Sequence, residues 1–241
     1  MMNFLSFMEK EKLMDYGVHI GHKKSFLHPT MLNYICDKTK KISFINLFFT
    51  IKILKELFCF IDNLILSKKE FHILFLLSKR STRSAISFDG EHKNISLLNK
   101  WINGFVSNFN VIVSNSLIPY LELKKQYNIN VILEEQERKK IENSIEKKTG
   151  KLAKFRFRRW NRKFNHMTNI NQIDLLIASD CKYSAYAIKE CILHNVPVAA
   201  IVDTDMSCKD IKFPIYGNDD LISSVSILLN SILDYIKNKC N

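Results

Sequence analysis

Three consecutive segments indicate the fold: Ile173-Asp-Leu-Leu-Ile-Ala178, Ser184 to His194, and Val196-Pro-Val-Ala-Ala-Ile-Val202. The two outer runs are apolar and have the length of buried strands, whereas apolar residues between them recur at steps of three and four, as on a helix. A strand, a helix and a strand in this order predict two parallel strands joined by a crossover helix.

The same alternation of helix and strand occurs on both sides of this stretch. Asn46 to Leu66 carries apolar side chains at helical spacing, and Phe71 to Leu77 is typical of a buried strand. Near the carboxyl end, Asn218 is expected to N-cap the last helix, with Asp219 and Asp220 in its first turn. We therefore predict an α/β protein with a Rossmann-like, flavodoxin-like parallel sheet flanked by helices.

The middle of the chain differs from this pattern. Between about Asn115 and Asn165 the strand pattern is lost, and the sequence becomes charged and helical. We expect residues 115–165 to form a basic helical hairpin, inserted into a sheet body made of residues 1–114 and 166–241.

The formal net charge of +12 is concentrated in one segment. Twelve Lys and Arg residues against two Glu lie between Arg138 and Lys163, so this segment holds +10 of the total. Phe155, Phe157 and Trp160 alternate here with Arg, which suits RNA because Arg binds phosphates in a bidentate way and both residue types stack on bases. The alternatives are a solvated helix face whose aromatic residues pack on the body, and a membrane surface or acidic protein as partner.

We predict the RNA contacts from basic side chains in two groups. The main group comprises Arg156, Arg158, Arg159, Arg162 and Lys163, together with Lys151 and Lys154. The secondary group, on loops near strand ends, comprises Lys23, Lys24, Arg80 and Arg83, for which simple surface solvation is the alternative.

Signals for catalysis are weak. The six glycines stand too far apart for a GxGxxG loop or a P-loop, which argues against a nucleotide enzyme. Asp203 and Asp205 follow a strand, so the alternative function is a Rossmann-like metal- or nucleotide-dependent enzyme that uses them; a hydrogen-bonded turn is the other interpretation. Metal ligation by His19, His22 and His28 is conceivable, but hydrogen-bonded neutral histidines are commoner. We predict no catalytic residue, metal or cofactor.

Several motifs resemble those of a known family. Leu13-Met-Asp-Tyr-Gly-Val-His-Ile-Gly-His22 and His28-Pro-Thr-Met31 are similar to the amino-terminal signature of the second protein of the small ribosomal subunit, the S-two family. Trp101 to Phe109, Val196 to Thr204 and Pro214 to Asp220 resemble its later motifs, in the same order. The matched positions include Gly17, His19, Gly21, His22, Trp101, Gly104, Asn108, Phe109, Asp203, Thr204, Gly217, Asn218, Asp219 and Asp220.

The resemblance implies a structural, non-enzymatic protein with a Rossmann-like sheet and a protruding helical hairpin. It implies a position at the head–body junction of the small subunit, with small-subunit ribosomal RNA and neighbouring ribosomal proteins as partners. It implies no membrane partner and no small-molecule substrate. The hairpin matches the family poorly, so RNA contacts there are predicted from charge alone. A eukaryotic-type relative that serves as a surface receptor is a further alternative, disfavoured by the hairpin charge.

Composition bears on the compartment. Phe, Asn, Lys and Ile are abundant while Gly and Pro number only 6 and 4, which is typical of an A/T-biased genome. We expect an organellar ribosome, in a plastid (including a non-photosynthetic one) or a mitochondrion, with an A/T-rich bacterium as the alternative. The amino terminus lacks the features of a signal peptide, charged residues interrupt the apolar region 42–66, and the six scattered cysteines are expected to be free thiols.

Overall fold

The computed structural model describes residues 10–37, 41–88, 93–126, 141–146, 151–164, 167 and 171–240. In chain order the strands are β1 (Ile20–Lys23), β2 (Ile35–Asp37), β3 (Ile42–Ile45), β4 (Ile73–Leu76), β5 (Ile95–Leu98), β6 (Leu175–Ala178), β7 (Val198–Val202) and β8 (Phe213–Tyr216). The helices are α1 (Lys10–Asp15), α2 (Leu47–Ser67), α3 (Phe109–Ile112), α4 (Ile118–Gln126), α5 (141–146), α6 (Lys151–Phe164), α7 (Ala185–Leu193) and α8 (Ile222–Cys240).

Five strands form a parallel sheet in the order β5-β4-β6-β7-β8. Counted within this sheet, the order is 2-1-3-4-5, which is that of flavodoxin-like folds. The predicted Rossmann-like α/β class is therefore confirmed. Pro214 lies in β8, at the edge of the sheet, where a residue without a backbone N–H is tolerated.

Alternating side chains of the central strands bury two apolar layers. Ile73 and Phe75 contribute to the layer that also contains residues of α2 and α8. Leu74 and Leu76 face the opposite layer, with residues of α4, α6 and α7. Strands buried on both faces carry continuous apolar runs, which explains the composition of β4, β6 and β7.

The predicted helices and strands of the body are found close to their expected positions. Asn46 caps α2, since its Oδ1 accepts from the amide of Phe48 over 3.1 Å. The start of the last helix differs from expectation. Asn218 Oδ1 accepts from the amides of Asp220 and Leu221 over 2.8 and 2.9 Å, and α8 begins only at Ile222. Asn218 thus closes a turn before the helix, and the two acids do not belong to its first turn.

A small antiparallel sheet, β1-β3-β2, precedes the main one and was not predicted. Its strands are three or four residues long, and both pairings contain a register shift. Such short, irregular strands leave no clear alternation of polar and apolar residues.

The described parts of 115–165 are helical and pack on the body. Tyr120 of α4 is buried against the rings of Phe157 and Phe164 of α6, and its hydroxyl donates to Asn161 Oδ1 over 2.8 Å. These rings belong to the same apolar cluster as Leu76 of the sheet. Residues 127–140, 147–150 and 165 of the expected hairpin lie outside the described residues.

The six cysteines are free thiols, as expected. In the described part of the chain, no helix combines the length and apolar character that crossing a bilayer requires.

Candidate functional site

The carboxyl ends of the parallel strands form a polar edge, hereafter the sheet edge. Lys79 follows β4, Asp203 follows β7 and Asn218 follows β8. In doubly wound sheets, ligands bind outside these ends. Here residues 17–28 contact the ends of β7 and β8, so the chain's own amino-terminal segment lies over this part of the sheet edge.

Backbone groups attach this segment to the sheet edge. The His22 amide donates to Thr204 Oγ1 over 2.9 Å, and the His28 amide donates to the Thr204 carbonyl over 2.8 Å. Asn218 donates its backbone amide to the carbonyl of Val18 over 3.1 Å and its side-chain amide to the carbonyl of Ile20. The motifs at the two ends of the resemblance, far apart in sequence, therefore meet in space.

Glycines permit this close approach. A Cβ on Gly21 would lie 2.5 Å from Thr204 Cγ2, and a Cβ on Gly217 would lie 3.1 Å from Val18 Cγ1. Gly17 has a φ of +74°, which residues with side chains rarely adopt. Gly21 and Gly217 thus permit close packing between two segments of the chain.

His22 and Asp203 form the centre of the sheet edge. Asp203 is 0% exposed, and its Oδ2 lies 3.2 Å from His22 Nδ1. Burial raises the pKa of Asp203, although hydrogen bonds from Thr204 and the nearby His22 oppose the rise. Burial lowers the pKa of His22, but Asp203 and the neighbouring acids outweigh it and bring the pKa above its ordinary value.

Lys79 contacts both acids that follow β8, Asp219 and Asp220. Its Nζ contacts Asp220 Oδ1, lies 3.4 Å from Asp219 Oδ1 and donates to the Asp219 carbonyl over 3.0 Å. Burial, only partly offset by Lys79, raises the pKa of Asp219 to about 6. The hydrogen bond from Lys79 lowers the pKa of the exposed Asp220. Asp220 Oδ2 also lies 3.3 Å from His22 Nε2, so one carboxylate contacts both Lys79 and His22.

The charged side chains of the sheet edge are thus paired with one another, although Nδ1 of His19 and Nδ1 of His22 make no hydrogen bond within the described residues. The carboxylate of Asp203 accepts from the amide and hydroxyl of Thr204, so for Asp203 the turn interpretation matches the geometry better than a cation site does. His19 stacks on Phe44 at 5.9 Å, and His28 Nδ1 bonds Thr30 Oγ1 at 2.8 Å. Over the described ranges, no three His, Cys, Asp or Glu side chains are grouped as metal ligands.

Glu190 of α7, which sequence reasoning missed, anchors the motif that begins at Trp101. Its two carboxylate oxygens accept from Trp101 Nε1, from three backbone amides and from one hydroxyl, at 2.8 to 3.1 Å. Burial raises the pKa of Glu190, but these hydrogen bonds outweigh it and lower the pKa overall. Gly104, with a φ of +86°, shapes the loop, while Asn108 precedes α3 and Phe109 packs edge-on against Phe105. A lone Glu in a helix carries no sequence signal of this role.

The second candidate site is α6, whose basic side chains fall into two classes. Lys154 Nζ lies 2.6 Å from Glu146 Oε2, and Arg158 donates to both oxygens of Glu142. In contrast, three exposed side chains make no ion pair or hydrogen bond to any other described residue: Lys151, Arg156 and Arg159. Arg162 and Lys163 lie in α6, but their side chains are outside the described part.

The aromatic residues of α6 do not all face solvent. Phe157 is 3% exposed and Trp160 packs partly against the same apolar cluster, whereas Phe155 is 65% exposed. The prediction that all three could stack on bases is therefore wrong for Phe157, and the alternative of packing on the body applies to it and largely to Trp160. The helical period decides this, because positions 157, 160 and 164 share one face.

The secondary basic group lies near the sheet edge. Lys23 ends β1 and Lys24 begins the following turn, both with exposed side chains. Arg80 and Arg83 are exposed on the turn after β4, where Arg83 Nη2 donates to the Asn99 carbonyl over 3.1 Å. Whether these four side chains contact phosphates stays a prediction.

Comparison with known proteins gives a consistent result. The family model for Ribosomal protein S2 matches residues 13–238. Small ribosomal subunit protein uS2 of Wigglesworthia glossinidia brevipalpis is 28% identical over 236 residues, covering 96% of this chain and 92% of the relative. Small ribosomal subunit protein uS2c of Phaeodactylum tricornutum is 27% identical, covering 96% and 98%. The uS2 protein of Karelsulcia muelleri is 29% identical, covering 92% and 97%.

Proposed function

Because the chain belongs to the ribosomal protein S2 family, a family of structural proteins of the small ribosomal subunit, we propose that it binds small-subunit ribosomal RNA at the head–body junction. In this role it stabilises the subunit and supports translation. It carries out no chemistry of its own, and its partners are the RNA and neighbouring small-subunit proteins.

The observation that carries the proposal is the outward-facing charge of α6. Lys151, Arg156 and Arg159 are exposed and have no ion-pair partner among the described residues. Cations without an internal partner attract phosphates, because binding releases the counterions that surround a nucleic acid. Arg162 and Lys163, which follow in the same helix, extend the basic run.

A rigid support makes such a contact effective. Phe157 and Phe164 fix the inner face of α6 against Tyr120 and the sheet, so the outer face is presented without a large ordering cost on binding. RNA contacts of this kind depend on phosphate geometry and on the shape of the folded RNA rather than on a base sequence. Lys23, Lys24, Arg80 and Arg83 supply further phosphate contacts beside the sheet edge.

The relatives include uS2c and bacterial uS2 proteins, so the ribosome in question is organellar or bacterial. The A/T-biased composition favours an organelle, a plastid or a mitochondrion, over an A/T-rich bacterium.

Sedimentation of a lysate in a sucrose gradient tests the function. We expect the protein to migrate with small subunits at physiological salt and to be released at high salt, because screening weakens phosphate contacts. A variant with Ala at positions 156, 158, 159, 162 and 163 should be incorporated poorly. Wild-type protein that stays at the top of the gradient at physiological salt, or full incorporation of the variant, would contradict the proposal.

A further inference from the structure

A small cavity lies between α5 and α6, on the flank of the basic helix. Its volume is about 200 Å³, and it is lined by Glu146, Lys151, Lys154, Phe155 and Arg158. The four residues from α6 stand at steps of three and four, so they share one helix face. Pockets for drug-sized ligands measure about 300–1,000 Å³, so a cavity of this size suits a smaller group.

Two of the cations at this cavity are held in place by acids of α5. Lys154 Nζ contacts Glu146 at 2.6 Å and Asn143 Oδ1 at 2.9 Å, and Arg158 uses Nε and Nη2 on Glu142. A Lys ammonium has three donors and a guanidinium has five, so each keeps donors that are not used in these bonds. The ion pairs thus orient Lys154 and Arg158 without consuming their capacity to bind an anion.

Lys151 and Phe155 complete the wall and are available to a ligand. Within the described part of the chain, Lys151 makes no hydrogen bond or ion pair, although it lies close enough to Glu146 for their charges to interact. Phe155 is 65% exposed, although a Phe ring is normally buried. A free cation and an exposed aromatic face, one helical turn apart, match a phosphate and the base attached to it.

We propose that this cavity binds one unpaired nucleotide of the RNA, with the base stacked on Phe155 and the phosphate held by Lys151, Lys154 and Arg158. This site rests on the proposed function and adds to it the class of RNA structure recognised. A base inside a duplex is stacked on its neighbours and offers only its edges to a protein. The face of Phe155 therefore selects a bulged, looped or single-stranded nucleotide, whereas the cations alone would bind any phosphate.

The test compares two RNA probes on the full-length protein, a single-stranded 12-mer and a perfect duplex of similar charge, by fluorescence anisotropy. Stacking of one base contributes about 1–3 kcal/mol, so we expect Phe155→Leu to weaken binding of the single strand about tenfold and to leave duplex binding nearly unchanged. Phe155→Trp should retain the affinity of the wild type, since it keeps an aromatic face.

Leu152→Ala is the matched control, because Leu152 is an exposed apolar residue (66%) of the same helix that does not line the cavity. Circular dichroism checks that each variant is folded, and the exposure of Phe155 makes a folding defect unexpected. Equal loss of single-strand and duplex binding in Phe155→Leu, or no loss of either, would overturn the site. So would an acidic peptide that binds with the same dependence on Phe155. If only the nucleotide site is wrong, the wild-type protein still sediments with small subunits. If the proposed function is wrong, the wild-type protein does not sediment with them.

Discussion

Charged side chains are paired at the sheet edge, whereas several are unpaired on the outer face of α6. At the sheet edge, His22 and Lys79 are both paired with acids, and Asp203 is fully buried. On α6, Arg156 and Arg159 face solvent and have no ion-pair partner among the described residues. The charged groups of the first region are paired within the protein, whereas the cations of the second region are available to an external anion.

The residues by which the family can be recognised are therefore different from the residues that we expect to bind RNA. The motifs that carry the family resemblance gather at the sheet edge and around Glu190, where they hold segments of the chain together. The segment with the largest charge carries almost no family motif. Packing between two backbones demands particular residues, such as Gly21 against Thr204, whereas attraction to phosphate demands only positive charge in roughly the right place.

Neutralising the unpaired cations of α6 should have the largest effect. With the single-strand coefficient of about 0.7 per phosphate contact, loss of three contacts at 0.15 M salt weakens RNA binding about fiftyfold. We therefore expect the triple variant Lys151→Gln, Arg156→Gln, Arg159→Gln to bind an RNA fragment of the small subunit about fiftyfold more weakly, with a flatter salt dependence and an unchanged urea midpoint. The control is Lys52→Gln, Lys55→Gln on the exposed side of α2, on the other face of the sheet. Equal losses in both variants would remove the distinction between the two regions.

Gly21→Ala should show the reverse pattern. The new Cβ would lie 2.5 Å from Thr204 Cγ2, so the amino-terminal segment must shift, at a cost of about 1–3 kcal/mol in the free energy of unfolding. RNA affinity of the folded protein should fall much less than in the triple variant, because the phosphate contacts on α6 are unaffected and only Lys23 and Lys24 lie on the segment that shifts. Urea denaturation measures the first quantity and anisotropy the second. Thr204→Ser removes the clashing methyl group and should restore part of the lost stability in the double variant; no restoration would mean that the clash is not the cause.

Asp219→Asn should give the smallest effect, with a sign that depends on pH. The pKa of Asp219 is raised from 3.8 to about 6 by burial, so the folded protein keeps a proton that the unfolded chain has lost. Stability contributed by this group is therefore lost as the pH rises towards 6. The Asn side chain does not ionise, so the variant does not lose stability as the pH rises. We expect its free energy of unfolding to exceed that of the wild type by about 1 kcal/mol above pH 7, because the weakened contact with Lys79 offsets part of the gain. Thermal unfolding of both proteins from pH 4.5 to 8 measures the difference, and a constant difference across this range would contradict the assignment.

The regular part of the fold could be predicted from sequence because its signals are local. The apolar runs of β4, β6 and β7 and the spacing in α2 are complete within a single segment. β5 and β8 were missed because four residues give little pattern, and Pro214 weakens the second of them further. The start of α8 was placed too early because Asn218 is favoured equally as a helix cap and in the turn that it actually forms.

The candidate site divides in the same way. The basic residues of α6 could be identified by counting, but their pairing could not, because Glu142 and Glu146 lie on another helix. Glu190 gave no signal, since its partners are backbone amides of a loop more than eighty residues earlier in the chain. Which aromatic residue faces outward depends on where α6 touches the sheet, and only tertiary structure decides that.

The hydrogen bonds between the amino-terminal segment and the sheet edge also affect when each part of the chain can reach its native contacts during synthesis. Val18, His22 and His28 reach their partners only after Thr204 and Asn218 have been made, and His22 and Thr204 are 182 residues apart. Closure of so long a loop is entropically costly and slow compared with the local formation of α2. The segment 17–28 is therefore made long before its partners and is among the last parts of the fold to reach its native contacts.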